Sequence, residues 1–368
     1  MNAFPAVDPI PLPAPVELFK ILHNVTLALH FIAVQMVIGG LLISIVIGFL
    51  ARNSNGDRTL QRKSVAEALA TRLPVAMTYL INFGVPPLLF LQVLYGRQFY
   101  TSSVLIGMFW IAVIFLLMGA YFHLYRYAGD FEIKKISWWK ALVAFVLIIA
   151  IAKIYSTVMT LMLRPEVWQK MYATSTAGVK LPPHDPTLLP RWLFMITGGL
   201  VAGGLWMIWL TGSKNVEEAA KPYFSSLGGK VAAVGVILHV LTGILAIKAQ
   251  PPAVYASLNS NALFKAAGFI WGAAMLGILV FSIWRGAGGK PSRFIGLILI
   301  FVGTLGAVVC RDGIRDITLV QKGFNVMERT IYTNWYVVGI FLITFVVGLV
   351  AVGWLISVMM RAKQISQK

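Results

Sequence analysis

The sequence predicts an all-α, polytopic transmembrane bundle of about nine spans, with an external N terminus and a cytoplasmic C terminus, on three observations. First, 58% of the 368 residues are hydrophobic and only 12% are charged, a balance outside the range of water-soluble domains. Second, runs of about 20 apolar residues recur along most of the chain, each long enough to cross a hydrocarbon core of roughly 30 Å as a helix. Third, the basic residues are distributed unequally between the stretches that separate those runs. Assigning these stretches to alternate sides and including the span ends, 18 of the 31 Lys and Arg fall on the side of the C terminus. Twelve fall on the other side and Lys153 lies inside a span, which places the C terminus in the cytoplasm.

Taken in order, span 1 covers residues 18–51 and follows a proline-rich stretch with no basic segment before the apolar run. That stretch reads as an external arm rather than a cleaved secretory signal. Span 2, residues 74–95, contains Asn82-Phe83-Gly84-Val85-Pro86-Pro87; consecutive prolines remove two backbone donors, so a broken ladder and a kink are expected there. Spans 3 and 4 cover residues 101–125 and 138–163, span 5 residues 190–212 and span 6 residues 224–248. Spans 7, 8 and 9 cover residues 263–285, 291–311 and 334–360. Two longer polar segments with aromatic residues, 164–189 and 312–333, lie on the external side and form the expected docking surface for a partner. With no internal repeat and no soluble module, residues 1–368 read as a single integral membrane domain.

The net charge of +18 does not point to nucleic acid. Its basic residues occupy short inter-span stretches without an aromatic-interleaved basic face, where they report topology and attraction to anionic membrane lipid. The single cysteine, Cys310, cannot form an internal disulfide, a cysteine-based zinc site or a covalent haem attachment. Any cofactor is therefore held by His, Met or backbone.

Ionisable groups inside spans are costly and mark function. No Asp or Glu falls in the central part of any span, which argues against a carboxylate-based ion pathway. Of five histidines, His23 and His30 lie in span 1, His123 near the end of span 3, His239 in span 6 and His184 in an external segment. His23 and His30 leave the same helix face about 10 Å apart along the axis. Counting residues from the external ends puts His30 and His239 at similar depth, the arrangement a non-covalent haem b needs for two axial ligands. Lys153 lies at a comparable level and is a candidate propionate partner. His23, nearer the surface, is a candidate ligand for a second haem, with Met159, Met162 or Met195 to complete it. His123 lies at the level of no other histidine and has Met207 as a nominal partner. Cys310-Arg311-Asp312-Gly313-Ile314-Arg315-Asp316 leaves span 8 with alternating charges. It reads as a salt-bridged cap, or as a site where Arg311 and Arg315 hold propionates or a quinone headgroup.

Nine spans, an external N terminus and His30-Phe31 in span 1 resemble subunit I of the cytochrome bd quinol oxidases, whose first span carries a haem-ligating His-Phe. Asn82-Phe83 is similar to an Asn-Phe of that family, and Arg191 to Gly203 is similar in its spacing of small residues. The resemblance covers most of the chain as topology and a few residues as motif. It departs at three places. Where the family has two glutamates on span 3, Val104 to Phe122 has no carboxylate; the family's low-spin haem histidine falls on Phe194; and the long loop between spans 6 and 7 is reduced to residues around Gln250 to Asn261. The resemblance implies a bacterial cytoplasmic-membrane cytochrome b-like subunit, a quinol-oxidising oxidoreductase component that is not itself an oxygen reductase. Such a subunit passes electrons between the quinone pool and an external partner, a c-type cytochrome or iron–sulfur subunit, within a hetero-oligomeric complex. A haem-free membrane anchor of a respiratory complex is the alternative that the missing histidine and carboxylates leave open.

Overall fold

In the computed structural model, residues 10–52 and 56–365 are described, and they are almost wholly helical. The order is α1 (Val16–Ala51), α2 (Asp57–Ala70), α3 (Leu73–Leu105), α4 (Gly107–Asp130), α5 (Trp138–Leu161), α6 (Pro165–Thr174), α7 (Leu188–Leu210), α8 (Lys221–Lys248), α9 (Pro252–Ser260), α10 (Ala262–Gly286), α11 (Arg293–Gln321) and α12 (Trp335–Ile365). Among the described residues nine segments are long and apolar enough to span a membrane, one for each span expected from the sequence. We call the side on which α1 begins the N-terminal face; α3, α5, α8 and α11 end there by alternation.

The bundle is built around α1 and α7. Of their most apolar stretches 67% and 61% are buried in protein, against 6% for α12, whose apolar surface is left for lipid. Between them the backbones approach as only glycine permits: a Cβ on Gly203 would fall 2.8 Å from the Cα of Gly39. Close backbone contact is how membrane helices gain packing energy where lipid competes for apolar surface. Val37, Ile38 and Leu41 of α1, all fully buried, pack into the main core with Trp206 and Met207 of α7.

Four elements lie outside the hydropathic expectation. Helix α2 occupies part of the expected loop after span 1; α6 and α9 are short helices inside the segments expected as 164–189 and around 250–261. Most significantly, span 8 does not end at residue 311. Helix α11 continues to Gln321, so Arg311, Asp312, Arg315 and Asp316 lie on a helix rather than in a loop. Spacings of three and four residues bring these charges to one side of α11, where they meet α1 and α3. The kink expected at Pro86-Pro87 is also displaced. Helical backbone runs through both prolines, and α3 departs from helical dihedrals at Tyr95 (φ −131°, ψ 34°).

The stretch just before α1 is tied to the one before α12. Leu12 donates to the Thr330 carbonyl at 2.8 Å, and Tyr332 donates back to Leu12 at 2.9 Å. Residues 1–9 of the expected external arm lie outside the described residues.

The α1–α7 contact makes a direct prediction. Gly203→Val overpacks the crossing and destabilises the protein by about 1–3 kcal/mol. Gly272→Ala, at a position with nothing within 4 Å of an added Cβ, leaves stability unchanged. Unfolding of both variants in detergent micelles reads the difference.

Candidate cofactor-binding site

One cavity of about 560 Å³ runs from the N-terminal face into the bundle between α1, α3, α4, α5, α7, α8, α10 and α11. That volume lies within the range of small-molecule and cofactor sites. Its deeper walls are apolar, including Val34, Leu117, Ile148, Val201, Met275 and Ile300. Polar groups are few and concentrated. His23, His30 and His239 face it, as do Arg191, Arg311 and Arg315 nearer the N-terminal face.

The three imidazoles are held in the same way. His30 Nδ1 lies 2.9 Å from the Leu80 carbonyl and His239 Nδ1 2.9 Å from the Phe194 carbonyl. His23 Nδ1 lies 3.0 Å from the carbonyl of Pro87. A carbonyl only accepts, so each ring carries its proton on Nδ1 and presents the Nε2 lone pair. Orientation by a backbone carbonyl is the usual support of a metal-bound imidazole. At Gly84 the helix comes so near that an added Cβ would meet His30 Cε1 at 2.9 Å, so glycine is what lets α3 seat against the ring. His239 is packed between Phe194, stacked at 4.0 Å, and Trp271, edge-on at 5.9 Å. Thr197 Oγ1 lies a further 3.4 Å from its Nδ1.

The Nε2 atoms differ. Neither His30 nor His239 has a hydrogen bond at Nε2 among the described residues, whereas the guanidinium of Arg315 donates to His23 Nε2 at 3.4 Å. Arg315 is 4% exposed and is paired with Asp312. Lys20 from α1 pairs with Asp312 at 3.0 Å and with Asp316. Tyr95, at the irregular point of α3, donates to Asp316 at 2.5 Å and lies under the Arg315 guanidinium. Two cations and two carboxylates thus close on each other at the junction of α1, α3 and α11. Of the two readings of the charged end of span 8, the salt-bridged cap describes Asp312, Arg315 and Asp316; Arg311 stands outside it.

The remaining candidates are elsewhere. Lys153 is not on the cavity wall; its ammonium lies 5.0 Å from the centroid of the Trp192 ring. His123 on α4 sits beside Phe122 and against Trp139 of α5, also away from the cavity, and its nominal partner Met207 is buried in the main core. Met159, Met162 and Met195 do line the cavity. The sequence reading passed over Lys20 and Tyr95 as members of the ionic cluster and Arg191 as a cavity residue. The only available signal for Arg191 was its place in the first turn of a span, which ordinarily reads as snorkelling toward headgroups.

No protein-family model matches the chain, and no curated protein matches it by sequence. By structure it is similar to a chain of the bd oxidase from Geobacillus thermodenitrificans, with a TM-score of 0.64 and 12% identity. The match covers 93% of this chain and 97% of the other. The fold expected from the resemblance is therefore present along nearly the whole length.

Removing one member of the ionic cluster strands the others in a poorly solvated site. Lys20→Met is expected to cost about 3–5 kcal/mol of stability, and adding Asp316→Asn to recover part of that loss. Thermal unfolding of the single and double variants checks both.

Proposed function

We propose that the chain is a cytochrome b-like membrane subunit that holds haem b in the central cavity and passes electrons between membrane quinone and a redox partner. The observation that carries this reading is the pair His30 and His239. Both face one cavity, both commit Nδ1 to a backbone carbonyl, and neither has an Nε2 partner among the described residues. The cavity fits the group in its volume, its apolar walls and its cationic end, where Arg311, outside the ionic cluster that engages Arg315, would meet a propionate or a quinone headgroup. A bound haem b supplies one-electron transfer. The protein's own part is to fix ring orientation, exclude water and balance charge. His23 is less suited to ligation, because a metal at its Nε2 would have to displace Arg315 from a closed ionic cluster.

The partner is a c-type cytochrome or iron–sulfur subunit docked on the N-terminal face, where α6 and the stretch from Lys322 to Asn334 leave polar surface between spans. The setting is a hetero-oligomeric respiratory complex in the bacterial cytoplasmic membrane. The similarity in fold to a bd oxidase chain supports this placement.

A reduced-minus-oxidised spectrum with a pyridine haemochrome assay on purified protein tests the reading. Haem b is expected in the unaltered chain and lost from His30→Ala and His239→Ala, with membrane insertion preserved. His123→Ala should leave haem content unchanged. A folded, fully assembled protein without haem would replace this reading with that of a membrane anchor.

A further inference from the structure

We propose that Arg191 and Arg311 form a carboxylate-binding clamp at the N-terminal-face end of the cavity, distinct from the ionic cluster that engages Arg315. The cluster is complete in itself: Lys20 and Arg315 are matched by Asp312 and Asp316. Arg191 and Arg311 are not matched. Both line the cavity, and among the described residues no carboxylate lies within ion-pair distance of either. The acidic groups that act on them at longer range are engaged elsewhere. Asp185 acts on Arg191 but pairs with Arg164 at 3.5 Å and accepts from Thr187 at 2.6 Å; Asp312 acts on Arg311 but is held by Lys20 and Arg315.

The two guanidiniums also act on one another unfavourably. Among the described residues, the directed contact of Arg311 is with the Phe31 ring, 5.9 Å from its Cζ. Both are partly exposed to a largely apolar cavity, where a cation without counter-charge is poorly solvated, so their natural complement is an anion. A guanidinium presents a planar fork that fits a carboxylate in bidentate fashion. Two such forks at one end of an apolar cavity fit a ligand with an apolar body and carboxylates at one edge. A porphyrin and a fatty acid share this chemistry; the porphyrin case rests on the haem reading above, and the fatty-acid case does not.

The test uses the full-length chain, produced in cells unable to make haem and purified in detergent. Its probes are metal-free protoporphyrin IX, which needs no axial ligand, and oleate, each compared with its methyl ester. The unaltered chain should bind a free acid at least tenfold more tightly than the ester. Arg191→Gln and Arg311→Gln should each abolish that preference, and Arg311→Lys should retain part of it. Acid preference with the porphyrin supports the clamp with a tetrapyrrole ligand; preference with oleate alone supports it with a lipid ligand. Equal binding of acid and ester for both probes, or a preference that survives both glutamine substitutions, overturns it. Arg311→Gln should also raise the melting temperature of the haem-free chain, since it removes an unpaired charge; a lowered one counts against the clamp. Haem counted separately in protein from haem-competent cells reports on the cofactor reading, so failure of either idea is seen on its own.

Discussion

The cavity depends on a constraint that the bilayer imposes on its histidines. A neutral imidazole inside a membrane has one donor and one acceptor, and an unsatisfied donor is costly there. In this chain each of the three cavity-facing rings places Nδ1 at hydrogen-bonding distance from a carbonyl of a neighbouring helix. One contact therefore satisfies the donor, joins two helices and aims the remaining nitrogen inward. His23 and His30 are separated by the same seven residues as their acceptors, Leu80 and Pro87, so antiparallel α1 and α3 meet in register at two levels. What distinguishes the two positions is the surroundings of Nε2: a closed ionic cluster at His23, an open apolar chamber at His30.

The charge distribution follows a similar logic. Four ionised groups are tolerated at the α1–α11 junction because they neutralise one another over short distances. Tyr95 adds a donor where the backbone of α3 is irregular. The cluster lies beside the cavity and leaves Arg191 and Arg311 on its wall outside the ion pairs. Asp312 and Arg315 are thus held within the cluster, while Arg311 on the same helix lines the cavity outside it.

Much of this was legible in the sequence because lipid makes hydropathy decisive: a long apolar run has few alternatives to a spanning helix. All nine spans follow from that alone. That His30 and His239 face one cavity agrees with their similar depth counted along the spans, since depth is a simple function of residue number. The extension of α11 was not legible, because Arg311, Asp312, Arg315 and Asp316 look like residues that must leave the membrane. Lys20, His23 and Tyr95, distant in sequence, show how the charged turn remains packed against the bundle. Helices α2, α6 and α9 were missed for a related reason: short and partly polar, they carry no long apolar run. The displacement of the α3 irregularity from Pro86 to Tyr95 was equally invisible, since the Tyr95 hydroxyl meets Asp316 from a helix distant in sequence.

The bond between Lys20 and Asp316 closes a separation of 296 residues, which sets an order on biogenesis. When α1 first enters the bilayer its lysine has no partner, and only its place four residues into the helix lets the long side chain reach the interface. It must wait there until nearly all the remaining spans have been inserted. The wall that α11 contributes is therefore among the last to arrive, and until then the chamber is open along one side. On the proposed haem reading, a bulky planar guest would enter laterally through that opening late in synthesis, without any later parting of finished helices, and the ionic cluster would close behind it.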